Sequence, residues 1–114
     1  MAKSIGMIEY ATVSTGISAT DTMLKTAEVE VIEAQTVCPG KYIAIITGEL
    51  SAVKASVENA KAQFGEKLID TFVLGNPHES VIPAIYGANS VENPKALGIL
   101  ETFSVASMIV AADA

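Results

Sequence analysis

The sequence predicts an α+β sandwich, with helices on a mostly antiparallel sheet, followed by the first strand and partial helix of a second copy of that unit. Three observations predict it. Segments of strand and helix character follow in the order strand, helix, strand, turn, strand, helix, strand, short helix, the pattern of a sheet with helices on one face. Ile5-Gly6-Met7-Ile8-Glu9 returns as Leu97-Gly98-Ile99-Leu100-Glu101 at a constant offset of 92 residues, with Val13 on Val105, Ile17 on Ile109, Ala19 on Ala111 and Asp21 on Asp113. Self-similarity at a fixed period marks duplicated architecture. Half of the 114 residues are hydrophobic, enough for one domain with a substantial core.

Residues 4–10 form a short apolar run of strand type. In residues 16–27, Ile17, Thr20, Met23, Leu24 and Ala27 recur at helical spacing and predict one buried face. Val29 and Val31 alternate with Glu28, Glu30 and Glu33, a strand with one wet face. Cys38-Pro39-Gly40 is a turn, and the nearly all-apolar run 42–47 is a central strand. Val53, Val57, Ala60 and Phe64 step along a second helix, with Gly65 as a left-handed stop. Residues 68–74 are a fourth strand, broken by Gly75-Asn76-Pro77, and 79–86 form a short third helix despite Pro83. Residues 87–94, with Gly, two Asn, Ser and Pro, read as a linker. Strand character resumes at 96–102, whose open edge is expected to pair with a sheet of its own or of a neighbouring chain. Residues 104–114 read as a helix without a stop signal; since the last carbonyls of a helix need partners, the chain reads as cut inside its second unit.

Seven lysines, no arginine and thirteen acids give a net charge of −6. That argues against nucleic acid, whose phosphates require cationic partners, and against an anionic membrane surface. No apolar run approaches the roughly 18 residues of a membrane span. Met1-Ala2-Lys3 leads directly into strand-like sequence, so no secretory signal is read there, and a single cysteine excludes an internal disulfide and fits the reducing cytosol.

Ile5-Gly6-Met7-Ile8-Glu9, the small-residue helix ending Met23-Leu24-Lys25-Thr26-Ala27, and Gly48-Glu49-Leu50-Ser51-Ala52-Val53-Lys54-Ala55 together resemble a bacterial microcompartment shell module. Thr36-Val37-Cys38-Pro39-Gly40-Lys41-Tyr42 is the sharpest stretch. It resembles the tandem-domain, PduT-like group of propanediol-utilisation microcompartments, as do Asn76-Pro77-His78-Glu79-Ser80-Val81-Ile82-Pro83-Ala84-Ile85 and Asn89-Ser90-Val91. The resemblance implies a four-stranded antiparallel sheet carrying helices, a ferredoxin-like variant. Residues 1–86 would be a complete shell module, 87–95 a linker, and 96–114 the start of a second, truncated one. It implies partners: other copies of the chain, as a trimer or hexamer forming a flat tile, and other microcompartment shell proteins, in the shell within the bacterial cytoplasm. It also implies that Val37, Cys38, Pro39, Gly40 and Lys41 line a central pore, that Cys38 is the cofactor and metal ligand of an iron–sulfur cluster of the 4Fe-4S type shared by three chains, and that Lys25 contacts neighbouring tiles. In one departure, Gly75-Asn76-Pro77-His78 stands where such modules carry Pro-Arg-Pro-His, which removes an arginine from the expected tile edge.

Each candidate has a plainer alternative. A lone cysteine often packs as a small hydrophobe, and one chain offers one thiolate where a cluster wants several; a threefold axis through the turn would supply three. Lys25 also suits the negative end of a helix simply as a solvated residue. His78, the single histidine, reads as a local hydrogen-bonding or capping residue, because no second His or Cys completes a zinc pattern. Glu9 and Glu101 occupy equivalent positions; an acid/base pair is imaginable, and a structural role at the strand end is the simpler reading. The Glu28, Glu30 and Glu33 series reads as the wet face of a strand. No phosphate loop or nucleophile elbow points to an enzyme. A structural shell protein that passes electrons or plugs its pore is therefore expected, the alternative class being a small oligomeric metabolite-binding regulatory module, since fold alone does not separate the two.

Overall fold

A computed structural model of the chain describes residues 3–114, so the expectation for Met1 and Ala2 lies outside the described residues. The elements are β1 (Ser4–Tyr10), α1 (Val13–Thr26), β2 (Glu30–Val37), β3 (Lys41–Gly48), α2 (Leu50–Gln63), β4 (Leu68–Leu74), α3 (Val81–Ile85) and α4 (Val105–Asp113). One antiparallel sheet runs in the order β2-β3-β1-β4.

β1 lies between two neighbours and is buried along its whole length. Successive side chains of a strand point to opposite faces. Ile8 and Tyr10 therefore join Ala44 and Ile46 of β3 on one face, where Ala19 and Met23 of α1 and Val53, Val57 and Ala60 of α2 complete a core. Ile5 and Met7, with Ile43 and Ile45, form a second core on the opposite face beneath Val81 of α3 and Ala106 and Ile109 of α4. Helices thus cover both faces of the sheet, not the one face expected. The reason is that β1 and β3 are apolar at even and odd positions alike, so each face needs a cover.

The α1–α2 layer is stitched by polar bonds at the helix end. Ser56 Oγ donates to the Met23 carbonyl at 3.0 Å, and Asn59 Nδ2 donates to Thr26 Oγ1 at 2.8 Å. Tyr10 reaches under α2 to donate to the Ala60 carbonyl at 3.3 Å, and burial pushes its phenol above the ordinary value. Pro83 fits α3 because it falls in the first turn, where the missing N–H would have no helical partner.

Three local expectations are corrected. α1 buries Gly16, Ala19, Thr20 and Met23, whereas Ile17 and Leu24 face outward. Small residues draw this helix close to the sheet: a Cβ on Gly16 would stand 2.5 Å from Tyr42 Cδ1. In β2 the register shifts between Val31 and Glu33, so Val31 is exposed and Ile32 packs against the second core. α2 ends at Phe64 with φ −127°, and Gly65 does not adopt the left-handed conformation. Residues 96–102 have no regular secondary structure and join no sheet of their own chain among the described residues, which leaves pairing with a neighbouring chain as the expectation.

Gly16→Val is expected to destabilise the fold by about 1–3 kcal/mol through overpacking against Tyr42. Gly98→Val, at a position with nothing within 4 Å of the added Cβ, should leave the urea midpoint unchanged. Similar midpoints for both variants would contradict the close α1–sheet approach.

Candidate functional site

The β2–β3 ladder ends on the pair Val37↔Lys41, leaving Cys38, Pro39 and Gly40 as the tip of a hairpin. The Gly40 amide donates back to the Val37 carbonyl at 3.1 Å, and Gly40 has φ 122°, a conformation that side chains disfavour. The Cys38–Pro39 peptide is cis. Cys38, Pro39 and Gly40 are exposed, and the thiol is free. The two flanking residues are tied down. Val37 packs against the second core, and Lys41 turns its ammonium inward to donate to Glu9 Oε2 at 2.8 Å. Of the five turn residues named from sequence, three therefore present themselves at the tip and two anchor it.

Glu9 is the centre of a second arrangement. It is fully buried at the end of β1, on the face that carries α3 and α4. Its Oε1 accepts from the backbone amides of Val105 at 2.9 Å and Ala106 at 3.3 Å, the first two residues of α4. A carboxylate there satisfies two of the amides that a helix start leaves open and faces the positive end of the helix dipole. Asp70, paired with Glu9 across the sheet, accepts from Ser104 Oγ at 2.9 Å, while Ser104 Oγ accepts from the Ser107 amide at 3.0 Å as a true N-cap. At the far end of α4, Asp113 Oδ1 accepts from the His78 amide at 2.7 Å. His78 Nδ1 accepts from the Ser80 amide at 3.1 Å, the local role expected of it.

The structural role expected for Glu9 at the strand end is what the structure shows, and the imagined pairing with Glu101 is not formed. Both its oxygens are engaged by Lys41 and α4, while Glu101 is exposed. Asp70 was missed altogether. The available signal was Ser104, a good N-cap residue placed before a helix that must dock somewhere. Lys25 sits in the last turn of α1, exposed, with Nζ 2.7 Å from Asp21 Oδ2. Glu28 and Glu30 are exposed, and Glu33 is half-buried.

Among the described residues, no group of three or more His, Cys, Asp or Glu could hold a metal ion. One chain therefore brings one exposed sulfur, which fits a cluster only as a single ligand among several from other copies. No described helix is long and apolar enough to cross a membrane.

The family model of the BMC domain matches residues 4–77. The chain belongs to the BMC-domain family. The matched span of this BMC-domain chain runs from β1 through β4 and stops before α3 and α4. The chain is similar to the bacterial microcompartment shell protein PduT of Citrobacter freundii, 42% identical over 113 residues, covering 99% of this chain and 61% of that protein. It is also similar to the carboxysome shell protein CcmK1 of Thermosynechococcus vestitus, 33% identical over 93 residues, covering 75% of this chain and 82% of the other. A solved structure of a microcompartment protein from Desulfitobacterium hafniense DCB matches with a TM-score of 0.84 and 48% identity, covering 99% of this chain and 63% of that one. The chain thus spans less than two thirds of the length of its PduT and Desulfitobacterium relatives. At the corner where such modules are expected to carry arginine, this BMC-domain chain places Asn76 in the left-handed region, φ 51°, which Asn tolerates better than most residues.

Lys41→Met leaves Glu9 Oε2 without its cation and should cost about 1–3 kcal/mol, because a buried charged acceptor loses its partner. Lys25→Met, which removes only an exposed ion pair, should cost under about 1 kcal/mol. Urea unfolding of the two variants measures the difference, and equal midpoints would count against the anchoring role of Lys41.

Proposed function

We propose that this BMC-domain chain is a structural component of a bacterial microcompartment shell, acting by assembly rather than by catalysis. In this reading residues 1–86 form one module, and residues from 96 onward begin a second. Copies of the chain assemble as a trimer or hexamer into a ring-shaped tile that packs beside other shell proteins, with Lys25 at the tile edge. Family membership and the shell proteins among its relatives support this reading.

The observation that carries the finer part is the hairpin tip. Cys38 stands exposed on a turn whose base is fastened by Val37 packing and by the Lys41–Glu9 bond. A thiol held out on a rigid turn can converge with its symmetry mates, and three such turns would line the opening of a tile. Three Cys38 thiolates would hold a 4Fe-4S cluster, leaving one iron for a non-cysteine ligand. When bound, the cluster supplies one-electron transfer across the wall or plugs the pore. The chain's own contribution is to present a soft sulfur donor, fix its direction and keep the lysine charge off the tip.

Anaerobic reconstitution followed by iron and sulfide analysis and native mass tests this reading. Wild type is expected to assemble and to bind iron. Cys38→Ser should assemble equally and lose iron and visible absorption together, since an alcohol is a poor ligand for soft sites. If both proteins bind the same iron, or neither binds any, Cys38 is not a ligand and the proposal reduces to a plain shell tile.

A further inference from the structure

The exposed turn at Cys38 and the buried seat of α4 lean on the same groups. Two residues fasten the turn, Val37 and Lys41, which pair with each other at the end of the β2–β3 ladder. Val37 packs against the second core, the cluster that also holds Ala106 and Ile109 of α4. Lys41 donates to Glu9 Oε2 at 2.8 Å, while Glu9 Oε1 accepts from the first two amides of α4 at 2.9 and 3.3 Å. One apolar route and one polar route therefore run from α4 to the base of the turn.

α4 itself is lightly held. It buries Ala106 and Ile109, and residues 88–104 before it form neither helix nor strand. An open groove of about 380 Å³ lies between it and β4, beside Phe72 and Val110. Another of about 210 Å³ lies between it and α3, beside Ile85 and Met108. The rest of its seat is polar: Asp70 accepts from Ser104 at one end, and Asp113 accepts from the His78 amide at the other. Few buried apolar contacts mark the segments of a fold that open first.

We propose that α4 is a latch on the Cys38 turn, with Glu9 as the positioning residue that carries the coupling. Seated, α4 helps to keep water from Glu9, which is 0% exposed, so the bond to Lys41 acts at low dielectric and the base of the turn is locked. Unseated, α4 opens the carboxylate to solvent, where an ion pair is weak, and the core around Val37 loses Ala106 and Ile109. The base of the turn then loosens. The coupling runs both ways by the same factor. Without Lys41, seating α4 buries an anion that has only helix amides to meet it. The inference rests on the reading of the Cys38 turn as the working part of the chain, and it names what regulates that turn.

Residue-resolved amide exchange on variants of the full chain tests the latch. Ile109→Asp unseats α4 from its apolar side. It should speed exchange at Val105 and Ala106 and, by about fivefold or more, at Gly40, whose amide bonds the Val37 carbonyl. Lys41→Met should speed Val105 and Ala106 by a similar factor, and the same change on a Glu9→Gln background should add nothing. The Phe64 amide, bonded to the Ala60 carbonyl on the α1–α2 side of the sheet, reports the fold and should not move. Where Ile109→Asp does move it, Asp113→Ala frees the far end of α4 from the His78 amide, and the same pattern is expected. A freed α4 with an unchanged Gly40 amide would overturn the latch. So would a Lys41→Met variant that leaves Val105 and Ala106 unchanged, or that acts equally on the Glu9→Gln background. The outcome is independent of iron: a coupled turn that binds no iron sinks the cluster and leaves the latch, and an iron-binding turn without coupling does the reverse.

Discussion

Glu9 ends a strand that has no exposed residue, where a carboxylate is tolerable only with its oxygens fully engaged. One oxygen takes Lys41, the first residue of β3, and so fixes the base of the hairpin that displays Cys38. The other takes two amides at the start of α4 and so fixes the helix that seals the second face of the sheet. The turn and the start of α4, which look unrelated along the chain, share one buried acid. Asp70 beside it on β4 extends the same bracket to the N-cap of α4.

Two-sided burial of the sheet is the second constraint. β1 and β3 carry apolar residues on both faces, so α1 and α2 on one side leave a full apolar surface on the other. The five residues of α3 are too short to cover it, and α4 completes the cover using the face of the helix that α1 turns outward. The 92-residue repeat thus supplies two helices that bury opposite faces, α1 on one side of the sheet and α4 on the other.

Much of the fold was legible because β1, β3, β4 and α2 carry strong periodic signals bounded by Gly, Pro and Asn, and the hairpin tip at Cys38-Pro39-Gly40 was readable for the same reason. The outward turn of Ile17 and Leu24 was not. Apolar periodicity marks a stripe, but the close approach of Gly16 and Ala19 to the sheet depends on Tyr42, which lies on another strand. The bulge at Ile32 was hidden because alternation looks regular until a partner strand sets the register. The role of Glu9 was hidden because the amides it meets lie 96 and 97 residues away. The strand character of 96–102 was read from its repeat of β1, and within the described chain no strand takes it up.

The most direct test of the Glu9 bracket compares equivalent amides within one molecule. First-turn amides of a helix normally lack intrahelical partners and exchange readily with solvent. Residue-resolved hydrogen exchange on the wild-type chain in dilute solution should show the Val105 and Ala106 amides slowed by Glu9, and the Val13 and Ser14 amides exchanging fast. Equal exchange at the two helix starts would contradict the claim that a buried carboxylate holds α4 on the sheet.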